Sequence, residues 1–103
     1  MIKPKKSLGQ NFLIDPNVIK KILNVIEIKD ENILEIGPGT GNLTLEILKR
    51  LPKKLTVVEK DTTLAKILND RFKNKIQIIN EDILKVNENN LDKEKFIVFG
   101  NLP

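Results

Sequence analysis

Four short apolar runs, separated by stretches of helical periodicity, constrain the fold of this 103-residue chain more than any other feature. The runs are NILEIG, LTVVEKD, KIQIINED and KFIVFGN, in that order. Continuous apolar strands that alternate with helices of about ten residues are typical of a parallel sheet with helices on both faces. Right-handed crossovers between such strands produce half of a doubly wound fold. We therefore predict an α/β, Rossmann-like architecture that stops after its fourth strand.

The first two helices are predicted from turn signals and apolar spacing. The first begins at Asp15-Pro16, with the carboxylate at the N-cap and proline at the first helical position. Its apolar face comprises Val18, Ile19, Ile22, Leu23 and Ile26. The second helix is predicted from Leu43 to Leu51 and is ended by Pro52.

A third helix follows the second strand. Asp61 is predicted to cap it, and its inner face comprises Leu64, Ile67, Leu68 and Phe72. On the second helix, Glu46 is predicted to lie on a solvated face and to form an i,i+4 pair within the Lys49/Arg50 cluster. Phe12 and Phe72 are interpreted as packing residues rather than as platforms for base stacking.

Cysteine and histidine are both absent from the chain. Their absence excludes disulfides, Cys/His zinc sites, cysteine nucleophiles and acid/base catalysis by histidine. No apolar run is long enough to span a bilayer, and the segment MIKPKKSLGQ lacks the apolar stretch of a secretory signal. We expect a cytoplasmic protein with no membrane partner and no metal site.

The net charge of +4 arises entirely in the N-terminal part of the chain. Residues 1–29 contain six lysines and two acidic residues, whereas the remaining residues contain twelve basic and twelve acidic side chains. Such an asymmetry favours contact with a polyanion such as nucleic acid. The alternative is codon bias toward A and T, since there are 16 lysines and only 2 arginines.

The stretch EIGPGTGN is the most informative for function. Gly37, Gly39 and Gly41 follow a predicted strand and open a predicted helix, so the backbone can turn tightly and approach a ligand. Asn42 occupies the position of the third glycine of a dinucleotide loop, and it also stands where a P-loop has lysine. No Lys or Arg lies between residues 31 and 48. This loop therefore lacks the features that bind a phosphate group.

Acidic side chains lie at the ends of two neighbouring strands, on the edge where such sheets bind ligands. Glu59 ends the second predicted strand and is placed to accept both hydroxyls of a ribose. Asp82 ends the third strand and is placed to accept a hydrogen from an adenine amino group. Glu35, just before the glycines, adds negative charge. These features indicate a nucleoside ligand that is not anionic, and S-adenosylmethionine, a sulfonium cation, matches that description.

Other interpretations stay open at this point. Gly37 and Gly39, taken alone, fit an ordinary strand-to-helix turn. A non-catalytic module that binds S-adenosylmethionine or RNA without turnover, such as an assembly factor, is the main alternative to an enzyme. An NAD-dependent oxidoreductase half-domain is disfavoured by Asn42 and by the lack of phosphate donors.

Five motifs resemble those of one enzyme family in order and spacing. They are KKSLGQNFLID, LEIGPGTGNLTLEIL, VVEKD, EDILKV and VFGNLP. This set is similar to that of the ribosomal RNA adenine N6-dimethyltransferases, which dimethylate two adjacent adenines near the 3′ end of small-subunit rRNA. The erythromycin-resistance 23S rRNA methyltransferases are close relatives, but they typically carry Ile at the position of Leu102 and rarely GPGTG.

The resemblance implies S-adenosylmethionine as the cofactor and assigns residues to it. Asn11 and Leu13 would close over the cofactor, and Glu59 would hold its ribose. Asp82 and Ile83 would frame the adenine, while the glycines would face the methionine part. The complete set implied for the cofactor is Asn11, Leu13, Glu35, Gly37, Gly39, Gly41, Glu59, Asp82, Ile83 and Asn101.

The resemblance also places catalysis in the last motif, at Asn101, Leu102 and Pro103. Asn101 and the Pro103 carbonyl would accept hydrogen bonds from the N6 amino group of the target adenine. In the family an aromatic residue follows and stacks on a flipped adenine. Methyl transfer from a sulfonium is an in-line displacement, so positioning would supply most of the catalysis.

Two parts are expected along the chain. Residues 1–29 form a basic arm with the first helix, and residues 30–103 form an incomplete S-adenosylmethionine-binding half-domain. The resemblance implies the N-terminal part of a longer enzyme, inactive alone, whose partner is small-subunit rRNA or a pre-30S-type particle. The fourth strand would then be an uncovered edge, through which the piece is expected to self-associate.

Overall fold

The four apolar runs form one parallel sheet in the computed structural model, which describes residues 16–86 and 96–100. The strands are β1 (Asn32–Ile36), β2 (Lys54–Val58), β3 (Gln77–Ile79) and β4 (Ile97–Gly100). They lie in the order β3-β2-β1-β4, so the chain moves outward from β1 to β3 and then returns to the other side of β1. The predicted parallel α/β sheet is confirmed.

Within the described residues three helices accompany the sheet: α1 (Pro16–Asn24), α2 (Asn42–Leu48) and α3 (Thr62–Phe72). Short 3-10 turns follow at Lys73–Lys75 and Ile83–Lys85. The helix α1 begins at Pro16 as predicted, whereas Asp15 and the side chains of Val18 and Ile19 lie outside the described part. None of the helices in that part is long and apolar enough to cross a bilayer.

The hydrophobic core lies on one face of the sheet, against all three helices. In-register strand positions place the side chains of β1, β2 and β4 together on this face, and their apolar members are Ile33, Leu55, Val57 and Phe99. The helices contribute Leu23, Leu43, Ile47, Leu68 and Phe72. On the opposite face Leu34, Thr56 and Val58 are buried as well. The centre of the sheet is thus shielded on both sides, as near-continuous apolar strands require.

The start of α3 follows the prediction, and Leu68 and Phe72 of its predicted inner face are buried, but Ile67 is not. The Asp61 carboxylate accepts a hydrogen bond from the backbone N–H of Leu64 at 3.0 Å and caps the helix. Ile67 was predicted to face the core and is instead 42% exposed. Ala65 is buried in its place, because it lies on the same stripe as Leu68 and Phe72 at the helical spacing. That part of the prediction is wrong.

The second helix is shorter than predicted. It ends at Leu48 rather than Leu51, because the chain tightens into turns in which the N–H of Leu51 bonds the carbonyl of Leu48 at 3.2 Å. Leu51 itself has a φ of 58°, which is incompatible with a continuing α-helix. Glu46 pairs with Lys49 at 3.0 Å and Arg50 at 3.7 Å as expected, but its own side chain is buried rather than solvated.

The strand β4 occupies one edge of the sheet formed by the described residues. Its Val98 is 51% exposed, whereas Phe99 points into the core. Self-association through this edge stays a prediction, as do the boundaries of the two expected parts.

Candidate functional site

The order in which the chain adds strands to the sheet reverses between β1 and β4, so the switch point lies at the carboxyl ends of these two strands. The strand β1 is bordered by β2 on one side and β4 on the other, so the chain leaves β1 toward β2 and comes back after β3 to the opposite side of β1. Open α/β sheets bind their ligands in the crevice that this creates. The glycine loop follows β1 there, and Ile36 is in register with Gly100 of β4. The last motif therefore starts beside the glycine loop.

Gly37 and Gly39 expose loop backbone toward open space. Their φ angles are +67° and +61°, a region that side-chain-bearing residues rarely adopt. A Cβ built on either glycine would have no atom within 4 Å. The N–H of Gly37 bonds the Val58 carbonyl at 2.9 Å, which fastens the start of the loop to β2. The loop is thus anchored at its base and open above two of its glycines.

Gly41 is required by packing as well as by its φ of +99°. A Cβ at this position would lie 2.6 Å from Cε2 of Phe72 and 3.1 Å from Cδ2 of Leu68. The close approach of α3 to the start of α2 therefore depends on the missing side chain. This packing role is not visible in the glycine pattern, since the ring comes from a helix that begins after β2.

Glu59 lies one residue beyond the end of β2 and is held against the glycine loop. Its side chain is 6% exposed. One carboxylate oxygen accepts the N–H of Asp61 at 3.0 Å, and the other accepts the N–H of Gly39 at 3.4 Å. Each oxygen keeps a second lone pair for a further donor. The predicted ribose acceptor is therefore preorganised next to the loop.

Asp82 and Ile83 lie further from their strand than predicted, because β3 ends at Ile79. Both residues are half-buried. The Asp82 carboxylate accepts the N–H of Leu84 at 3.0 Å and caps the 3-10 turn. Asn80, which the sequence analysis did not single out, donates from its side chain to the Glu59 carbonyl at 2.9 Å. This amide links the ends of β2 and β3, and its position just after a strand was the available signal.

Glu35 is buried inside the fold and does not lie on the loop surface. It is 1% exposed, and its carboxylate accepts a hydrogen bond from the hydroxyl of Thr44 at 2.5 Å. Burial raises the pKa of Glu35 from 4.5 to about 7, against the lowering effect of the Thr44 hydrogen bond. The full negative charge expected here is therefore reduced near neutral pH. Thr44 was missed, although a hydroxyl one turn into the helix after the glycines is a recognisable signal.

The raised pKa of Glu35 predicts a loss of stability as the pH rises. In the unfolded chain the carboxyl ionises near its ordinary value, whereas in the fold it stays protonated up to about pH 7. The free energy of unfolding should therefore fall between about pH 5 and about pH 7, by at most about 3 kcal/mol, and level off above. Urea unfolding of the wild type and of Glu35→Gln across this range measures the difference. Equal slopes in the two proteins would contradict the prediction.

An arginine side chain of α3 contacts the glycine loop. The Arg71 guanidinium donates to the carbonyl of Thr40 at 2.7 Å and lies 4.9 Å from the centroid of the Phe72 ring. The loop's own sequence contains no Lys or Arg, so this contact was not expected. Arg71 is bonded to the loop backbone and so holds the loop against α3.

The structure thus brings the glycine loop, Glu59 and Asp82 to one edge of the sheet. Asn11, Leu13, Asn101, Leu102 and Pro103 lie outside the described residues. Their assignments, and the cofactor contacts assigned to the other residues, stay predictions.

Similar proteins were found along the whole chain. The model of the family described as "Ribosomal RNA adenine dimethylase" matches residues 1–103. A ribosomal RNA small subunit methyltransferase A from Pelagibacter ubique is 58% identical over 99% of the chain, and one from Sulfurihydrogenibium is 50% identical over 99%. The chain spans 39% and 42% of the lengths of these relatives.

Solved structures agree with this match. The crystal structure of the 23S rRNA methyltransferase ErmE superimposes with a TM-score of 0.72 at 32% identity, covering 86% of this chain and 36% of that one. A dimethyladenosine transferase from Plasmodium falciparum gives a TM-score of 0.71 at 29% identity, covering 86% and 32%. The sheet is therefore that of a class I methyltransferase. The chain belongs to the ribosomal RNA adenine dimethylase family.

Proposed function

We propose that this chain is the cofactor-binding part of an S-adenosylmethionine-dependent enzyme that N6-dimethylates adjacent adenines in small-subunit rRNA. One observation carries the proposal: an open, positive-φ glycine loop lies against the buried Glu59 carboxylate at the switch point of the sheet. Membership of the adenine dimethylase family supports the reaction and the substrate.

The residues at this edge fit S-adenosylmethionine. Glu59 has lone pairs left to accept two ribose hydroxyls. Gly37 and Gly39 leave room for a ligand to approach the backbone. The cation beside the loop, Arg71, is engaged by the Thr40 carbonyl. These features suit a nucleoside with a cationic sulfur, and the cofactor supplies the electrophilic methyl group when bound.

The remaining assignments complete the proposed cofactor site. Asp82 and Ile83 frame the adenine, and Asn11 and Leu13 close over the cofactor. Gly37, Gly39 and Gly41 shape the loop around its methionine part.

In the acceptor site, the N6 amine of the target adenine is the nucleophile. Asn101 and the Pro103 carbonyl accept its N–H hydrogens, which orients the nitrogen lone pair toward the methyl group. Leu102 spaces these two acceptors in the motif. The adenine must leave the base stack to reach them. The chain has no His or Cys. This arrangement needs neither, because catalysis depends on positioning the N6 amine toward the methyl group.

Replacing Glu59 with glutamine should weaken binding of S-adenosylmethionine between about tenfold and about a hundredfold, because charge-assisted acceptors for the ribose are lost. Isothermal titration calorimetry on the intact gene product measures this loss. Glu81→Gln is the matched control, since Glu81 is an exposed carboxylate at the same edge. Equal affinity of the two variants would remove Glu59 from the site.

The substrate is tested by incorporation of labelled methyl groups into ribosomal RNA by the intact gene product. Immature small-subunit particles and naked small-subunit rRNA are supplied separately, with large-subunit RNA as the control. Labelled dimethyladenosine in small-subunit RNA supports the proposal. Cofactor binding without any methyl incorporation would favour the binding module instead. The proposed reaction belongs to the cytoplasm, where ribosomal particles mature.

A further inference from the structure

A buried hydroxyl–carboxylate pair joins the two elements on either side of the glycine loop. Glu35 is the last but one residue of β1, and Thr44 lies in the first turn of α2. Their exposed fractions are 1% and 0%, and the hydroxyl donates to the carboxylate at 2.5 Å. One side-chain hydrogen bond therefore joins a residue before the glycine loop (residues 37–41) to a residue after it, across the loop.

Within the sheet, apolar side chains flank the Glu35 carboxylate. Its register partners are Val57 of β2 and Phe99 of β4, both buried. The strand β4 contains no charged residue. Among the described residues on these strands and on α2, Thr44 is the one for which a hydrogen bond to this carboxylate is seen.

The charged groups on the elements packed against Glu35 are engaged elsewhere or lie at a distance along the chain. Just beyond β2, Glu59 stands two residues after the register partner of Glu35 and accepts the N–H groups of Gly39 and Asp61, while Lys54 begins the strand at its other end. On α2, Glu46 pairs with Lys49 and Arg50. The Thr44 hydroxyl is thus the direct support of the Glu35 anion.

We propose that Thr44 is a positioning residue of the cofactor site: its hydroxyl holds the Glu35 carboxylate, ties β1 to α2 across the glycine loop, and maintains a negative charge there for a cationic ligand. This inference rests on the proposed function for the identity of that ligand. In this proposal Glu35 acts on the ligand through its charge and does not contact the ligand directly. Because burial disfavours the anion, the donated hydrogen bond increases the fraction of the carboxyl that is ionised near neutral pH.

Comparing a cationic with a neutral ligand that differ by one methyl group distinguishes this role from simple packing. S-adenosylmethionine carries the sulfonium charge, and S-adenosylhomocysteine has a neutral sulfur. Calorimetry on the intact gene product gives the affinity for both between about pH 6 and about pH 8. The variants are Thr44→Val, which removes the hydroxyl at nearly constant shape, and Thr44→Ser, which keeps it. Thr56→Val is the matched control, because Thr56 is buried on the opposite face of the sheet.

The wild type should bind S-adenosylmethionine more tightly as the pH rises, with a smaller change for S-adenosylhomocysteine. Thr44→Val should reduce the affinity for the cationic ligand about tenfold more than the affinity for the neutral one near neutral pH. It should also move the midpoint of the pH dependence of binding upward. Thr44→Ser should stay within about twofold of the wild type. Equal losses for both ligands with an unchanged pH profile would show a merely structural role and overturn the proposal.

Two further measurements keep the inference separate from the proposed function. If Thr44→Val does not fold, Glu35→Gln replaces it, and it should lose affinity for the cationic ligand alone, together with the pH dependence. An equal loss for both ligands overturns the proposal. If the wild type binds neither ligand, the proposed function fails. An NMR titration of the Glu35 carboxyl in the wild type and Thr44→Val then decides the inference: the titration midpoint should be higher in Thr44→Val, and equal midpoints overturn the proposal.

Discussion

Gly41→Ala is expected to lower the free energy of unfolding by about 3 kcal/mol or more. Two costs add: a side-chain-bearing residue must adopt a φ of +99°, and its Cβ would lie 2.6 Å from the Phe72 ring. The ring cannot move away freely, because Phe72 is part of the core cluster. Urea unfolding of the intact gene product measures the change.

Gly37→Ala is the matched control for this prediction. Gly37 also has a positive φ, but a Cβ there meets nothing within 4 Å. Its substitution should cost only about 1 kcal/mol of stability, from backbone strain alone. It should nevertheless weaken cofactor binding, since the added methyl group occupies the open side of the loop. Similar stability losses in the two variants would show that contact with Phe72 does not set the requirement at Gly41.

Gly100→Ala should detach the end of β4 from the sheet and cost about 2 kcal/mol or more, because overpacking here involves backbone. A Cβ on Gly100 would lie 2.8 Å from the Cβ of Ile36 and 2.9 Å from the Ile36 carbonyl oxygen. The neighbouring strand cannot yield without losing its pairing with β2 as well. Asn101 follows directly, so methyl transfer should fall more than cofactor binding.

Hydrogen exchange tests this second prediction strand by strand. In Gly100→Ala the amides of β4 should lose protection, while those paired between β2 and β3 keep it. Val98→Ala, at an exposed position of the same strand, is the control and should leave both sets unchanged. Full protection of β4 in Gly100→Ala would mean that the strand accommodates the methyl group.

Local patterns predicted the elements of the fold because each pattern reports one nearby physical requirement. Apolar runs located all four strands, and Asp61 marked the start of α3 with the carboxylate that caps it. The ends were less well predicted. The helix α2 ends before Leu51 and β3 before Asp82, because turn geometry and capping bonds compete with the regular element. Ile67 was assigned to the core because its hydrophobicity alone does not specify which stripe of the helix the sheet covers.

The sequence by itself determined the parallel α/β class, the glycine loop and the acidic residues that follow the strands. Spacing along the chain carries this information, because the glycines and carboxylates come shortly after the ends of the predicted strands. Only the tertiary structure decided that Phe72 makes Gly41 necessary, that Arg71 holds the Thr40 carbonyl and that Thr44 supports a buried Glu35. These contacts join elements separated along the chain, and their geometry exists only once the helices pack against the sheet.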